Sequence, residues 1–498
     1  MRAPPPCTPL SSPLIQLMQP MRYLLLFARL FVGSLFIVSG LIKANDPLGF
    51  SYKLEEYFAE SALNLPMLVP FALALGMLAC LAEVVLGFAV LVGGRMKLAT
   101  WSLLGLTLFF GWLTAYTATC DPAATYTVLV NGVEETRGVT CVTDCGCFGD
   151  AMKGSIGRSL TPWESFAKDM VLLVFVLPMF FLRSRIKWNS DGDDRILLPG
   201  GLLLVALWSW VFTWWGPLWF TLIGFTGYIL IKRFSKAPAA EWATAAWVAA
   251  ITLAFSWWNH AHLPVRDYRP YAVGKSIAEQ RTMGKPPVQE IYMIYRDKRT
   301  GVEKEYDSRG AYPWDDENFE YVDRRIVEVE PGVDSPVQDF MLTDIDGVDM
   351  TEGILAEPNP VLLVMMYNVE KSDRGCLPDI ASLAQAAFSK GWYVYAVSAS
   401  PFEAYEEVRH AHQLPFDMLQ CDEKTIKTAI RSNPGIMLLQ MGAVKGLWHC
   451  NDVPRLDDIL GGGMLDAVPA VLDIDTTASG FPLPADADLS DTLPEQGS

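Results

Sequence analysis

Between residues 22 and 259 apolar stretches of about twenty residues recur, and this recurrence limits the fold more than anything else in the chain. In hydrocarbon every backbone N–H and C=O must be satisfied internally, so such stretches become helices that cross the bilayer. Spans are expected near residues 24–42, 67–92, 96–117 and 164–183, forming one four-helix core. The next stretch, Ile196 to Ile231, is too long for one ordinary span and carries Trp214-Trp215-Gly216-Pro217 near its middle. Gly-Pro breaks a helix and tryptophans favour the interface, which predicts two short spans joined by a tight turn. A last span over about 241–259 brings the expected number to seven.

Basic residues set the orientation, because cytoplasmic loops retain Lys and Arg. Arg95 and Lys97, then Arg183, Arg185 and Lys187, then Lys232, Arg233 and Lys236 all fall on the same side if the N-terminus is inside and residues 196–231 form a hairpin. The expectation is a multi-pass protein of a bacterial inner membrane with everything after His260 in the periplasm. Residues 1–20 lack the features of a signal peptide and read as a disordered leader or a mis-assigned start, with Met21 the alternative beginning. The net charge of −17 belongs mainly to the polar part that follows the spans. No nucleic-acid partner is expected.

Lipid penalises Arg29, Lys43 and Glu83, which fall within or at the end of the first two spans. Two readings stand side by side: an Arg29 to Glu83 ion pair that fixes helix packing, and a role in binding a ligand or moving a proton.

Four of the nine cysteines, Cys120, Cys141, Cys145 and Cys147, lie in the loop between the third and fourth spans. Thr125 to Thr136 is β-prone around Asn131-Gly132, a strong hairpin signal. A hairpin brings its ends together, which makes Cys120 and Cys141 natural disulfide partners with a structural role. Cys145-Gly146-Cys147 would close a strained, exposed ring, and such disulfides exchange more readily. This inner pair is the redox candidate. Two inert disulfides, or a four-thiolate zinc site, are the other readings, the latter disfavoured in an oxidising compartment. No metal is expected.

The arrangement Arg29-x3-Gly33-x6-Gly40-x2-Lys43, followed by Glu83-x3-Gly87 and Gly93-Gly94-Arg95, resembles the four-helix DoxX family. The Cys145-Gly146-Cys147-Phe148-Gly149 run with Ser159-Leu160-Thr161-Pro162-Trp163-Glu164 is similar to the methylamine-utilisation protein MauE. The resemblance covers about residues 22–185. It implies disulfide-linked or quinone-linked electron transfer, with quinone as a loosely held cofactor. The hairpin at 196–231 and the long outer tail depart from both families and weaken a methylamine role. Longer bacterial membrane proteins with an appended thioredoxin-like domain are also similar, and His262-Leu263-Pro264-x2-Asp267-x-Arg269-Pro270-Tyr271 is a further marker of them.

Residues 261–335 read as a small β connector without a catalytic set. Residues 336–475 alternate strand and helix and end in a hairpin, which argues an α/β domain; its pattern resembles membrane-associated thioredoxins, with Asn433-Pro434 in the place of that fold's cis-proline. The active Cys-x-x-Cys is missing, and Glu370-Lys371-Ser372-Asp373 stands there instead. Cys376, three residues further along, is a lone candidate for a redox role, with a binding or docking module the stronger reading. Glu370, Asp373, Asn433 and Pro434 are therefore expected to form a binding surface for an envelope protein. Residues 476–498 are expected to be a disordered tail.

The expected fold class is thus an α-helical polytopic membrane bundle, a four-helix core (21–187) plus about three further spans (188–260), then a small β unit and an α/β thioredoxin-like domain. Two functions follow: thiol–disulfide or quinone-linked electron transfer through the Cys-Gly-Cys loop, or a non-enzymatic membrane scaffold. Partners beyond the lipid bilayer would be an envelope protein and a quinone.

Overall fold

The computed structural model describes residues 13–466, apart from 131–132, 143–145, 147, 286–287, 331 and 333–334. Helix α1 (Pro13–Asn45) begins eight residues ahead of Met21, so part of the expected leader is helical; residues 1–12 and the expected tail at 476–498 lie outside the described residues. A short helix α2 (Pro47–Phe58), capped by the Asp46 side chain, follows at once. Then come α3 (Ala72–Val92), α4 (Met96–Ala118), the hairpin β1 (Thr125–Val130) and β2 (Val133–Gly138), α5 (Ala151–Ile156) and α6 (Pro162–Phe181). The expected hairpin is α7 (Asp191–Val211) and α8 (Gly216–Phe234), broken at the Gly-Pro site, and α9 (Ala239–Ala261) closes the bundle. Among the described residues five helices, at Met21–Asn45, Pro66–Val92, Met96–Ala118, Asp191–Val211 and Ala239–Ala261, are long and apolar enough to cross a membrane. With α6 and α8, of 20 and 19 residues, they make the seven long helices of the bundle.

Helices α1 and α3 pack antiparallel at very close range. A Cβ on Gly87 would lie 2.7 Å from the Gly33 carbonyl oxygen, and one on Gly40 would lie 2.7 Å from Val84. Small residues let backbones approach this way in a bilayer, where packing rather than water exclusion drives association. The antiparallel register corrects the expected Arg29 to Glu83 pair: it sets Glu83 opposite Lys43, and Arg29 opposite the far end of α3. There Arg29 donates to the carbonyls of Val90 and Leu91 and to Asn189.

All seven long helices alternate in direction. One end of the bundle holds Arg29, Asn189, Lys232 with Asp194, and Arg95 with Glu241. The other holds the Cys120 loop, Phe148, Phe212 and everything after α9.

The connector contains α10 (Ile277–Thr282) and a three-stranded antiparallel sheet of β3 (Val288–Asp297), β4 (Glu303–Asp307) and β5 (Phe319–Glu330), ordered β4-β3-β5. The last domain runs α11 (Thr351–Ala356), β6 (Val361–Met366), α12 (Leu377–Phe388), β7 (Tyr393–Ser398), α13 (Phe402–His412), β8 (Met418–Gln420), α14 (Glu423–Ala429), β9 (Gly435–Gln440), β10 (Ala443–His449) and α15 (Leu456–Gly461). Its sheet order is β10-β9-β6-β7-β8, with β6, β7 and β8 parallel and β9 antiparallel to β6. Every residue of β6 is buried. Leu362, Val364 and Met366 meet residues of α12, α13 and α15 on one face, while Val361, Leu363 and Met365 meet those of α11 and α14 on the other, as period-two alternation requires. A central β strand followed by a parallel neighbour on one side and an antiparallel hairpin on the other is the thioredoxin arrangement.

Candidate functional site

Cys145 and Cys147 lie outside the described residues, while Gly146 between them and Phe148 after them are described. Gly146 is buried and has φ +63°, a left-handed conformation that suits glycine. A Cβ there would stand 3.3 Å from Lys53 and 3.8 Å from Phe50, so the loop lies against α2. Phe148 is buried too, its ring 5.0 Å from that of Phe212 and 5.3 Å from the Lys168 ammonium. Gly146 is therefore held against α2, and Phe148 against the α7–α8 turn. Cys120 and Cys141 form a disulfide, Cα–Cα 5.8 Å, across the base of the β1–β2 hairpin.

A cleft of about 560 Å3 opens at this end of the bundle, with Gly146, Phe50 and Lys53 on one wall and α14 of the thioredoxin-like domain on another. Arg431, just past α14, joins the two walls. Its Nε donates to both oxygens of Asp46 at 2.9 and 3.0 Å, its Nη2 lies 3.7 Å from Asp150, and its guanidinium stands over the Tyr52 ring. Burial opposes charge on both partners, but the pairing outweighs it, so Asp46 is held below the usual carboxylate range and Arg431 above its ordinary value. Lys427 sits over both Tyr52 and Tyr367, at 4.8 and 5.0 Å. The segment after α9 completes the docking. Asn45 exchanges hydrogen bonds with the Arg266 backbone, Tyr268 donates to the Phe212 carbonyl, and buried Arg269, paired with Asp267, donates to the Ala429 carbonyl. The marker residues His262 to Tyr271 thus strap domain to bundle.

Below the loop, inside the bundle, Lys43 donates to both oxygens of Glu83 at 2.7 and 2.8 Å. A cavity of about 30 Å3 adjoins the pair and is also lined by Phe148, Lys168 and Asp169. That space suits a water or two. The quinone that the family resemblance implies needs far more room than this cavity gives its ring, and the described residues do not fit it there.

In the thioredoxin-like domain the Asn433-Pro434 peptide is cis. Asn433 accepts from the Asp373 N–H and donates to the Asn368 carbonyl, both at 2.8 Å, and Pro434 is buried. Glu370 and Asp373 are exposed. Asn433 and Pro434 thus pack beside the loop that carries Glu370 and Asp373, and Tyr367, next to that loop, meets Tyr52 of the bundle with ring centroids 6.4 Å apart. Cys376 is not a lone thiol. It forms a disulfide with Cys450, Cα–Cα 5.6 Å, both residues 6% exposed. Sequence reasoning missed this pair because 74 residues separate the two; the available signal was that Cys450 directly follows the last strand of the sheet, beside the start of α12. The turn after Cys450 reaches the end of α9, with Asn451 donating to the Ala261 carbonyl and Asp452 meeting His262 at 2.8 Å. Cys80 and Cys421 are buried and free; burial pushes the Cys421 thiol up to about 12 and keeps it protonated.

Residues 21–123 match the family described as methylamine utilisation protein MauE. The match covers the helices that carry Arg29, Lys43 and Glu83 and ends ahead of the Cys-Gly-Cys run. The solution structure of a candidate thioredoxin from Neisseria meningitidis is similar over 25% of this chain and 84% of its own, at 20% identity and a TM-score of 0.20; the fold assignment rests on the sheet order instead. No curated protein matches the chain. The protein is a multi-pass membrane protein with a MauE-like membrane region joined to a thioredoxin-like domain.

Proposed function

We propose that this protein exchanges disulfides at the membrane surface through Cys145 and Cys147. A protein dithiol presented in the cleft becomes a disulfide while the loop disulfide becomes two thiols, and the reverse transfer is open to the same pair. The observation that carries this reading is buried Gly146, the residue between the two cysteines, on the wall of a cleft of about 560 Å3. The partner is an envelope protein, and exposed Glu370 and Asp373 favour one with a basic segment.

Thiol trapping of the full chain in native membranes tests the reading. Cys145 and Cys147 should be found in both reduced and oxidised forms, and Cys145→Ser or Cys147→Ser should abolish exchange while leaving abundance nearly unchanged. Cysteines that stay fully oxidised under every growth condition would instead make the bundle a scaffold for its outer domain.

The reading also needs the loop in an oxidising compartment. The basic loops gather at one end of the bundle, and both disulfides belong to segments at the other. This supports a cytoplasmic N-terminus and a periplasmic domain. A reporter active only in the cytoplasm, fused after residue 300, is expected to be silent, and activity from it would reverse the topology.

A further inference from the structure

At the end of the bundle that gathers the basic loops, a recess of about 130 Å3 lies between α3, α4 and α9. Val85, Ala89, Leu98, Ala99, Ala245 and Val248 make its walls apolar. Leu98 and Trp242, which also line it, are exposed, so it opens on the side of the bundle that meets lipid. Pockets for drug-sized molecules run from about 300 to 1,000 Å3, and this smaller space takes a narrow chain rather than a ring system. Its wall carries one polar group out of place. Threonines inside these helices turn their hydroxyls back to the carbonyl four residues earlier, as Thr100, Thr107 and Thr252 do. Thr244 lines the recess at 3% exposure, and its hydroxyl has no hydrogen-bond partner among the described residues. An orphaned hydroxyl in apolar surroundings costs free energy that a ligand oxygen recovers.

We propose that this recess binds one phospholipid with a primary-amine head group. At its mouth, one helical turn before Thr244, Glu241 Oε2 accepts the Arg95 backbone N–H at 2.8 Å and stands 3.7 Å from Arg95 Nε. The Arg95 guanidinium lies over the Trp242 ring at 4.9 Å, and tryptophan favours the depth at which head groups begin. The mouth thus presents one cation and one anion side by side, both partly open to the surroundings. A zwitterionic amine head group matches both signs: its phosphate oxygens take the forked donors of the guanidinium, and its ammonium donates to Glu241. The ester carbonyl of the lipid accepts from Thr244, about 4.5 Å further in along α9, and an acyl chain follows the apolar walls. An anionic head group would meet repulsion from Glu241, and a quaternary ammonium would offer that carboxylate no N–H.

Native mass spectrometry of the full chain in detergent tests the site, with equal amounts of phosphatidylethanolamine, phosphatidylcholine and phosphatidylglycerol of one acyl composition added. One phosphatidylethanolamine should be retained about tenfold over either competitor, the size of one charge-assisted hydrogen bond. Glu241→Gln keeps an oxygen for the Arg95 N–H but loses the charge, and should bring phosphatidylethanolamine down to the level of phosphatidylcholine. Thr244→Val preserves shape and should weaken retention about fivefold, the size of one neutral hydrogen bond, without lowering the unfolding temperature. Ala245→Leu fills the recess from its wall and should remove the retained lipid. Equal retention of the three lipids by the wild type would make the recess ordinary boundary surface and overturn the proposal. So would retention that Ala245→Leu leaves unchanged, which puts the lipid elsewhere, or a preference for phosphatidylglycerol, which denies Glu241 any part in reading the head group.

Discussion

Replacing Arg431 with alanine should undock the thioredoxin-like domain from the bundle. The guanidinium is buried between Asp46, Asp150, the Tyr52 ring and the Lys427 carbonyl, so its loss leaves the half-buried Asp46 carboxylate with the Gly49 N–H as its remaining hydrogen bond. Breaking a fully buried pair from one side costs about 3–5 kcal/mol; with Asp46 open to the cleft the cost falls toward the lower end of that range or below it, still enough to loosen a modest interface. Hydrogen exchange should rise both in α2 and across residues 427–431, while the distant sheet of β6, β7 and β9 stays protected. Asp46→Asn combined with Arg431→Met should recover most of the protection, because neither partner is then charged. Unchanged exchange in Arg431→Ala would show that the strap at residues 262–271 holds the domain alone. Acid should act on the same pair. Asp46 has its pKa lowered in the folded protein, so its contribution is complete above the unfolded carboxylate value of about 4 and is lost as pH falls through the lowered one. Docking should therefore persist through mild acid and fail only below the ordinary carboxylate range.

The elements legible in the sequence were those set by local chemistry. Gly216-Pro217 ended one helix and began another, because proline lacks the N–H that an interior turn needs. Asn131-Gly132 marked a hairpin whose ends hold Cys120 and Cys141, which are 21 residues apart and joined. Asn433-Pro434 fell where the domain pattern puts its cis peptide. What depended on the register between distant elements was not legible. Depth in the membrane suggested that Arg29 and Glu83 could pair, but antiparallel packing through Gly33 and Gly87 moves Glu83 to Lys43. Helix α2 was missed, being too short to register as a span and too apolar at Phe50, Tyr57 and Phe58 to read as loop. With it went the dock for Arg431, which has no local signature because its partner lies 385 residues away.

The Cys376–Cys450 disulfide should matter more to stability than Cys120–Cys141, and not at all to thiol exchange. In the chain-entropy treatment a separation of 74 residues corresponds to about 4.5 kcal/mol, against about 3 kcal/mol for one of 21. The longer closure also ties the start of α12 to the turn that carries Asn451 and Asp452, and these hold the end of α9. Cys376→Ser together with Cys450→Ser should lower the unfolding midpoint of the domain and loosen its junction with α9, seen as faster hydrogen exchange at residues 258–262. The pair is 6% exposed on both sides, too buried for a partner's thiolate to approach a sulfur in line. Reduction of Cys145 and Cys147 by dithiothreitol should accordingly keep its wild-type rate in the double variant, measured at a temperature where the domain remains folded. A rate that collapses while the midpoint holds would place the working disulfide in the thioredoxin-like domain, at the start of α12, and leave the membrane loop as its support.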